Sequence, residues 1–69
     1  MRLSARNQLQ GTVREVTPGA VTTTVKVDLA GGDVVTSSIT KEAADELALE
    51  PGQQVTVIVK SSDVILGIN

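Results

Sequence analysis

The strict alternation of residues 20–29 constrains the fold of this chain more than any other feature of its sequence. Polar residues such as Lys26 and Asp28 alternate with a mostly aliphatic set. A period of two with one apolar face predicts a half-buried β-strand. Pro18-Gly19 before the segment and Gly31-Gly32 after it predict tight turns. The set expected on the buried face is Val21, Thr23, Val25, Val27 and Leu29.

The rest of the chain predicts four further strands and one helix. Thr40 is expected to cap the helix by accepting a backbone N–H bond. Five strands, with one short helix between the third and the fourth, indicate an all-β fold. The expected architecture is a small Greek-key barrel of the oligonucleotide/oligosaccharide-binding (OB) type, forming a single domain over residues 1–69. The further strands are expected over 8–16, 34–39, 54–60 and 63–68, and the helix over 41–48.

A chain of this size needs additional buried area. A core built from 69 residues gives marginal stability unless something reinforces it. The sequence has no Cys, no His and no aromatic residue, which removes disulfides and metal clusters as the source. Residues 64–68 are apolar on both faces, as expected for a strand buried against another subunit. Because no other reinforcement is available, self-association is the preferred prediction. The alternative is that Ile65 is simply a tolerated exposed residue.

Composition also excludes several classes of function. Without His or Cys there is no ordinary acid–base or nucleophilic machinery, and no nucleotide fingerprint is present, so an enzyme is not expected. A net charge of −2 and the lack of aromatic side chains disfavour nucleic-acid binding. No apolar run approaches the length that crosses a bilayer, and no signal-peptide pattern is present. A cytoplasmic protein with no membrane association is expected.

Three polar segments carry the remaining chemical interest. Ser4 and Arg6 share a face if the start of the chain is extended. Thr40 lies at the predicted helix start, and Lys60 and Ser61 end the fourth predicted strand. Hydroxyls, backbone N–H groups and one or two cations suit a small oxyanion, not a transition-metal cation. By spacing alone, each segment is more readily explained as a solvated arm, a helix cap or a strand-end lysine.

Taken together, these segments resemble the Mop family of molybdate-binding domains, whose small free-standing members are called molbindins. The resemblance covers essentially the whole chain in order. It rests on Ser4-Ala5-Arg6-Asn7-Gln8-Leu9 with Gly11 and Val13, on Gly19-Ala20-Val21, on Ser37, Ile39 and Thr40, and on Lys60-Ser61-Ser62-Asp63-Val64.

The resemblance implies a function and an assembly. It implies a homo-oligomer, a hexamer built as a trimer of dimers, that stores or buffers molybdate or tungstate without a catalytic cofactor. The oxyanion would lie between subunits, and a second class of site would lie near subunit contacts. The implied oxyanion ligands are Ser4, Arg6, Thr40, Lys60 and Ser61. The implied second-site residues are Gly19, Ala20 and Val21, with Ser37 and Ser38 as further candidates.

Two departures from the family pattern and three rival functions accompany this prediction. Thr22 stands where the family often has Asn, and Ser61 stands where a small apolar residue is common. The first rival that the resemblance allows is a regulatory module, the same domain acting as the oxyanion sensor of a molybdate transporter ATPase or transcription regulator. A 69-residue chain that begins at Met1 favours the storage role over that regulatory one. The second rival is a nucleic-acid-binding barrel, and the third is a scaffold that binds no ligand.

Overall fold

The computed structural model describes all 69 residues, which form one four-stranded sheet, one short helix and one 3₁₀ turn. The helix follows the third strand directly, and the 3₁₀ turn follows the fourth. The strands are β1 (Asn7–Pro18), β2 (Thr22–Leu29), β3 (Val34–Thr40) and β4 (Gln54–Val59); the helix is α1 (Lys41–Glu46), and the turn is Ser61–Asp63.

The sheet is antiparallel throughout and is built around β1. Its strand order is β3-β2-β1-β4, so β3 and β4 are the two edge strands. The first half of β1 pairs with β4, starting at Asn7 opposite Val59. The second half pairs with β2, ending at Pro18 opposite Thr23. Because β1 pairs over its whole length, its two ends lie at opposite ends of the sheet.

A β-bulge at Arg14 explains an irregular feature of β1. Val13 pairs with Val27 and Glu15 pairs with Lys26, so Arg14 is an extra residue on β1. The insertion changes the side-chain alternation, and both Val13 and Val16 therefore face the core despite their spacing of three.

The core is small and aliphatic. Val13, Val25 and Val27 are almost completely buried, and Thr23 is buried beside them. Gly11 allows β1 to approach β2 closely, because a Cβ atom there would lie 2.5 Å from the Cγ1 atom of Val27. The predicted inward positions of β2 are confirmed with one exception, since Val21 lies outside the strand and is exposed.

Thr40 caps the helix as predicted. Its hydroxyl accepts a hydrogen bond of 3.0 Å from the backbone N–H of Ala43. The helix ends at Glu46, two residues before the predicted end, because Leu47 closes it and Ala48 adopts a left-handed conformation with φ of 49°. No helix of the structure has the length and apolar character needed to cross a membrane.

The predicted fifth strand over 63–68 is wrong for this chain. Residues 61–63 form the 3₁₀ turn, and residues 64–69 pair with nothing. The side chains of Ile65, Leu66 and Ile68 are 93%, 87% and 95% exposed. A strand forms only where an edge supplies hydrogen-bond partners, and this segment pairs with neither edge strand of its own sheet. The result is a curled four-stranded sheet instead of a closed five-stranded barrel.

Candidate functional site

A cavity of about 610 Å³ lies where β1 begins and β4 ends. It contains four of the five predicted oxyanion ligands, which are separated by more than fifty residues in the sequence. Its lining is mostly polar, with Ala5 and Ile58 as the apolar members. The complete lining is Ser4, Ala5, Arg6, Ile58, Lys60, Ser61, Ser62 and Asp63.

The register of β1 and β4 brings the two cations together. Asn7 is opposite Val59, so Arg6 and Lys60 each lie one residue beyond this pair. The Asn7 side chain also donates a hydrogen bond of 3.1 Å from Nδ2 to the Val59 carbonyl oxygen. This bond holds the two strand ends at the position from which the cations extend.

Neither cation of the cavity has an ionic partner. The ion pair that the structure contains joins Arg14 to Asp28 at 2.8 Å, outside the cavity. Arg6 and Lys60 form no ion pair, although Asp63 lines the same cavity. Two like charges at the ends of neighbouring strands repel each other, and an anion between them removes that repulsion. The cavity is therefore suited to an anion.

Hydrogen-bond donors surround the two cations. Ser4, Ser61 and Ser62 contribute hydroxyls to the lining. The 3₁₀ turn satisfies the N–H groups of Asp63 and Val64, which donate to the carbonyls of Lys60 and Ser61. The first N–H groups of such a turn, those of Ser61 and Ser62, have no acceptor within it. Hydroxyls and N–H groups of this kind suit the oxygens of a tetrahedral anion.

Thr40, the fifth predicted ligand, does not line the cavity. Thr40 pairs with Thr22 of β2, and the next residue of β2, Thr23, pairs with Pro18 at the end of β1. Thr40 therefore lies near the end of β1, whereas the cavity lies at its start. Its hydroxyl already accepts from the Ala43 N–H, which leaves the O–H free to donate. A single chain therefore brings together Ser4, Arg6, Lys60 and Ser61, but not Thr40.

The predicted second-site turn lies beside Thr40. The Lys41 N–H donates to the carbonyl oxygen of Val21 at 3.0 Å, which joins the turn to the start of α1. Gly19 is required by the turn itself, because its N–H donates to Thr22 O at 2.8 Å and a Cβ atom there would lie 2.5 Å from that oxygen. Ala20 completes the exposed turn.

The two serine candidates for the second site do not converge. Ser37 is half-buried and lines an apolar cavity against the core, whereas Ser38 is exposed. They are consecutive residues of β3, so their side chains project to opposite faces of the sheet.

Sequence reasoning missed four residues of the large cavity, namely Ala5, Ile58, Ser62 and Asp63. The signal for Ser62 was its place in the same polar segment as Lys60 and Ser61. Asp63 lines the cavity because the 3₁₀ turn places it there, and its residue type alone gives no signal of that position.

The fold and this anion-suited cavity define a small β-sheet binding module. Residues 3–66 match the TOBE domain family, and the chain belongs to this family, in its group of molybdenum-pterin-binding Mop proteins.

Three relatives illustrate the match. Molybdenum-pterin-binding protein 3 of Clostridium pasteurianum is 44% identical over 66 residues, which are 96% of this chain and 97% of the relative. The structure of MopII from the same organism superposes with a TM-score of 0.91 at 40% identity, covering 97% of this chain and all of that one. The cytoplasmic molybdate-binding protein ModG, solved with molybdate bound, gives a TM-score of 0.95 at 49% identity, covering all of this chain and 49% of that one.

Proposed function

We propose that this protein binds molybdate, or the similar anion tungstate, and that it stores or buffers the anion in the cytoplasm. The observation that carries the proposal is the pair of unpartnered cations, Arg6 and Lys60, in one hydroxyl-lined cavity. The similarity to ModG, a cytoplasmic molybdate-binding protein, supports the choice of anion and compartment.

The donor set fits the requirements of a tetrahedral dianion. Burying two negative charges without partners is prohibitive, so the site must supply compensating cations and many donors. Arg6 offers a fork of N–H groups that binds two oxygens at once, and Lys60 offers a mobile point charge. Ser4 and the Ser61 backbone add neutral donors. Because the chain has no His or Cys for acid–base or nucleophilic chemistry, the anion is bound and released unchanged, without catalysis and without a cofactor.

The complete site lies between subunits. One chain places Thr40 outside the cavity that holds the other four proposed ligands. A neighbouring chain that supplies Thr40 would add a hydroxyl donor and shield the anion from water. A hexamer built as a trimer of dimers is the assembly that we propose for this arrangement. The turn formed by Gly19, Ala20 and Val21 then lies next to this contact, as a second anion site would require.

Calorimetry tests the proposal directly. Anion-stripped protein is titrated with molybdate, and in parallel with sulfate and phosphate. We expect tight binding of molybdate, weak binding of sulfate, and loss of molybdate binding in Arg6→Ala and Lys60→Ala. The matched control is Lys26→Ala, because Lys26 lies outside the cavity and donates to Thr36 Oγ1. Absence of molybdate binding by the unmodified chain would refute the proposal.

A regulatory role is the second candidate. The match to ModG covers only half of that chain, so this domain also occurs within longer proteins. As the sensor module of a molybdate transporter ATPase or transcription regulator, it would bind the anion with the same residues. Molybdate would then change its affinity for another protein domain, which a storage role does not require.

A further inference from the structure

The large cavity contains one carboxylate among its hydrogen-bond donors. Arg6 and Lys60 can only donate hydrogen bonds, and the serine hydroxyls of the lining can donate as well as accept. Asp63 is the one side chain of the lining that, when ionised, can only accept. A site that holds only fully deprotonated anions gains nothing from such a group, because a carboxylate repels every oxygen of those anions.

The Asp63 carboxylate has no partner in the chain that would explain its position. It forms no ion pair with Arg6 or Lys60, since the ion pair of the structure joins Arg14 to Asp28. It also takes part in no side-chain hydrogen bond. The 3₁₀ turn is held by its backbone, in which the Asp63 N–H donates to the Lys60 carbonyl oxygen at 2.9 Å. The carboxylate is therefore available to a ligand in the cavity.

Tetrahedral oxyanions differ in whether they carry a proton. Near neutral pH molybdate, tungstate and sulfate are fully deprotonated, whereas the hydrogen phosphate dianion keeps one O–H group. That group can donate to a carboxylate, and hydrogen bonds from an O–H group to an ionised oxygen are short and strong. The other oxygens of hydrogen phosphate can accept from the same cations and hydroxyls as those of molybdate. A free carboxylate beside two cations therefore favours the protonated class of oxyanion.

We propose that Asp63 is a specificity-determining residue that admits hydrogen phosphate to the cavity and makes it a competitor of molybdate. The inference rests on the proposed function, because both anions would occupy the same cavity. Arg6, Lys60 and Asp63 are the charged groups of the lining. The O–H group of hydrogen phosphate donates to the Asp63 carboxylate, while Arg6 and Lys60 bind its other oxygens. Sulfate meets only repulsion from this carboxylate, so Asp63 distinguishes two dianions of equal charge and similar shape.

Calorimetry with three dianions tests the role of Asp63 at mildly alkaline pH, where phosphate is the monohydrogen dianion. The ligands are hydrogen phosphate, sulfate and monofluorophosphate, which resembles hydrogen phosphate in charge and shape but has no O–H donor. The unmodified protein should bind hydrogen phosphate about tenfold more tightly than the other two. In Asp63→Asn, sulfate and monofluorophosphate should bind roughly threefold to tenfold more tightly and hydrogen phosphate should not, so the preference is largely lost. Asp45→Asn, outside the cavity, is the matched control for net charge and should keep the preference.

Competition with molybdate distinguishes failure of this inference from failure of the proposed function. Hydrogen phosphate should displace molybdate from the unmodified protein at a concentration about tenfold lower than sulfate requires, and the two should compete almost equally in Asp63→Asn. A protein that binds molybdate but binds phosphate and sulfate alike would overturn the inference alone. A protein that prefers phosphate through Asp63 but binds no molybdate would support the inference and refute the proposed function. Absence of hydrogen phosphate binding, or a preference that survives in Asp63→Asn, would also overturn the inference.

Discussion

The Nδ2 atom of Asn7 donates to the carbonyl oxygen of Val59 at 3.1 Å, across the junction from which Arg6 and Lys60 extend. The bond joins residues that are 52 positions apart and is partly buried. It positions the two cations of the cavity without contacting the proposed anion. A variant without this bond therefore shows how much the position of the two cations, apart from their charge, contributes to anion binding.

Replacing Asn7 with alanine should weaken molybdate binding although both cations remain. A typical hydrogen bond contributes about 1 kcal/mol, which corresponds to roughly a fivefold loss of affinity if the strand ends separate. Calorimetry measures the loss. Gln10→Ala is the control, because Gln10 makes an exposed bond to Thr56 outside the cavity. Equal affinities for the two variants would show that the Asn7 bond does not position the site.

Asp63→Asn should strengthen molybdate binding. The Asp63 carboxylate lines the cavity and repels an anion held by Arg6 and Lys60, and the amide keeps its shape without its charge. Charges a few ångströms apart near a protein surface interact by about 1 kcal/mol or more, so affinity should rise roughly threefold to tenfold and release should slow. Asp45→Asn on α1 is the control for net charge. An affinity that falls in Asp63→Asn would mean that Asp63 orients a donor instead of repelling the anion.

Two substitutions separate the cap of Thr40 from its proposed role as an anion ligand. Thr40→Ala removes both and should cost about 1 kcal/mol of stability as well as molybdate affinity. Thr40→Asp keeps an acceptor for the Ala43 N–H but adds a negative charge and removes the donor. We expect Thr40→Asp to melt close to the unmodified protein and to bind molybdate poorly. Unimpaired molybdate binding by Thr40→Asp would exclude Thr40 from the site.

Gly11→Ala should destabilise the fold, whereas Gly31→Ala should not. The added Cβ at position 11 would lie 2.5 Å from Val27 Cγ1 and 3.0 Å from the Asp28 carbonyl oxygen. Overpacking of this kind typically costs about 1–3 kcal/mol. Position 31 has open space around it, so its alanine variant is the matched control. Chemical denaturation measures both, and a stable Gly11→Ala protein would contradict the close approach of β1 to β2.

Local patterns predicted much of the fold because the relevant interactions are local. The alternation around Val25 and Val27 predicted a strand, and the hydroxyl of Thr40 just before the helical pattern of residues 41–48 predicted a helix cap. The bulge at Arg14 was not predictable, because an extra residue in one strand depends on the register of its partner. The absence of a strand over residues 64–68 was not predictable either, because an apolar pattern does not show whether a sheet edge lies within reach.

Four residues of the cavity could be named from the sequence, but their spatial arrangement could not. Ser4, Arg6, Lys60 and Ser61 were identified from a family resemblance, and the structure brings them to one cavity through the β1–β4 register. That convergence depends on long-range pairing, which no short motif encodes. The separation of Thr40 from the other four was equally invisible, because it follows from the order of the strands in the sheet.

The most direct measurement is to locate molybdenum by anomalous X-ray scattering in crystals of the full chain grown with molybdate. The account predicts a molybdenum peak within hydrogen-bonding reach of Arg6 and Lys60 of one subunit and of Thr40 of its neighbour. A well-ordered crystal with no peak at this position, or with molybdenum held only at residues away from Arg6 and Lys60, would contradict it.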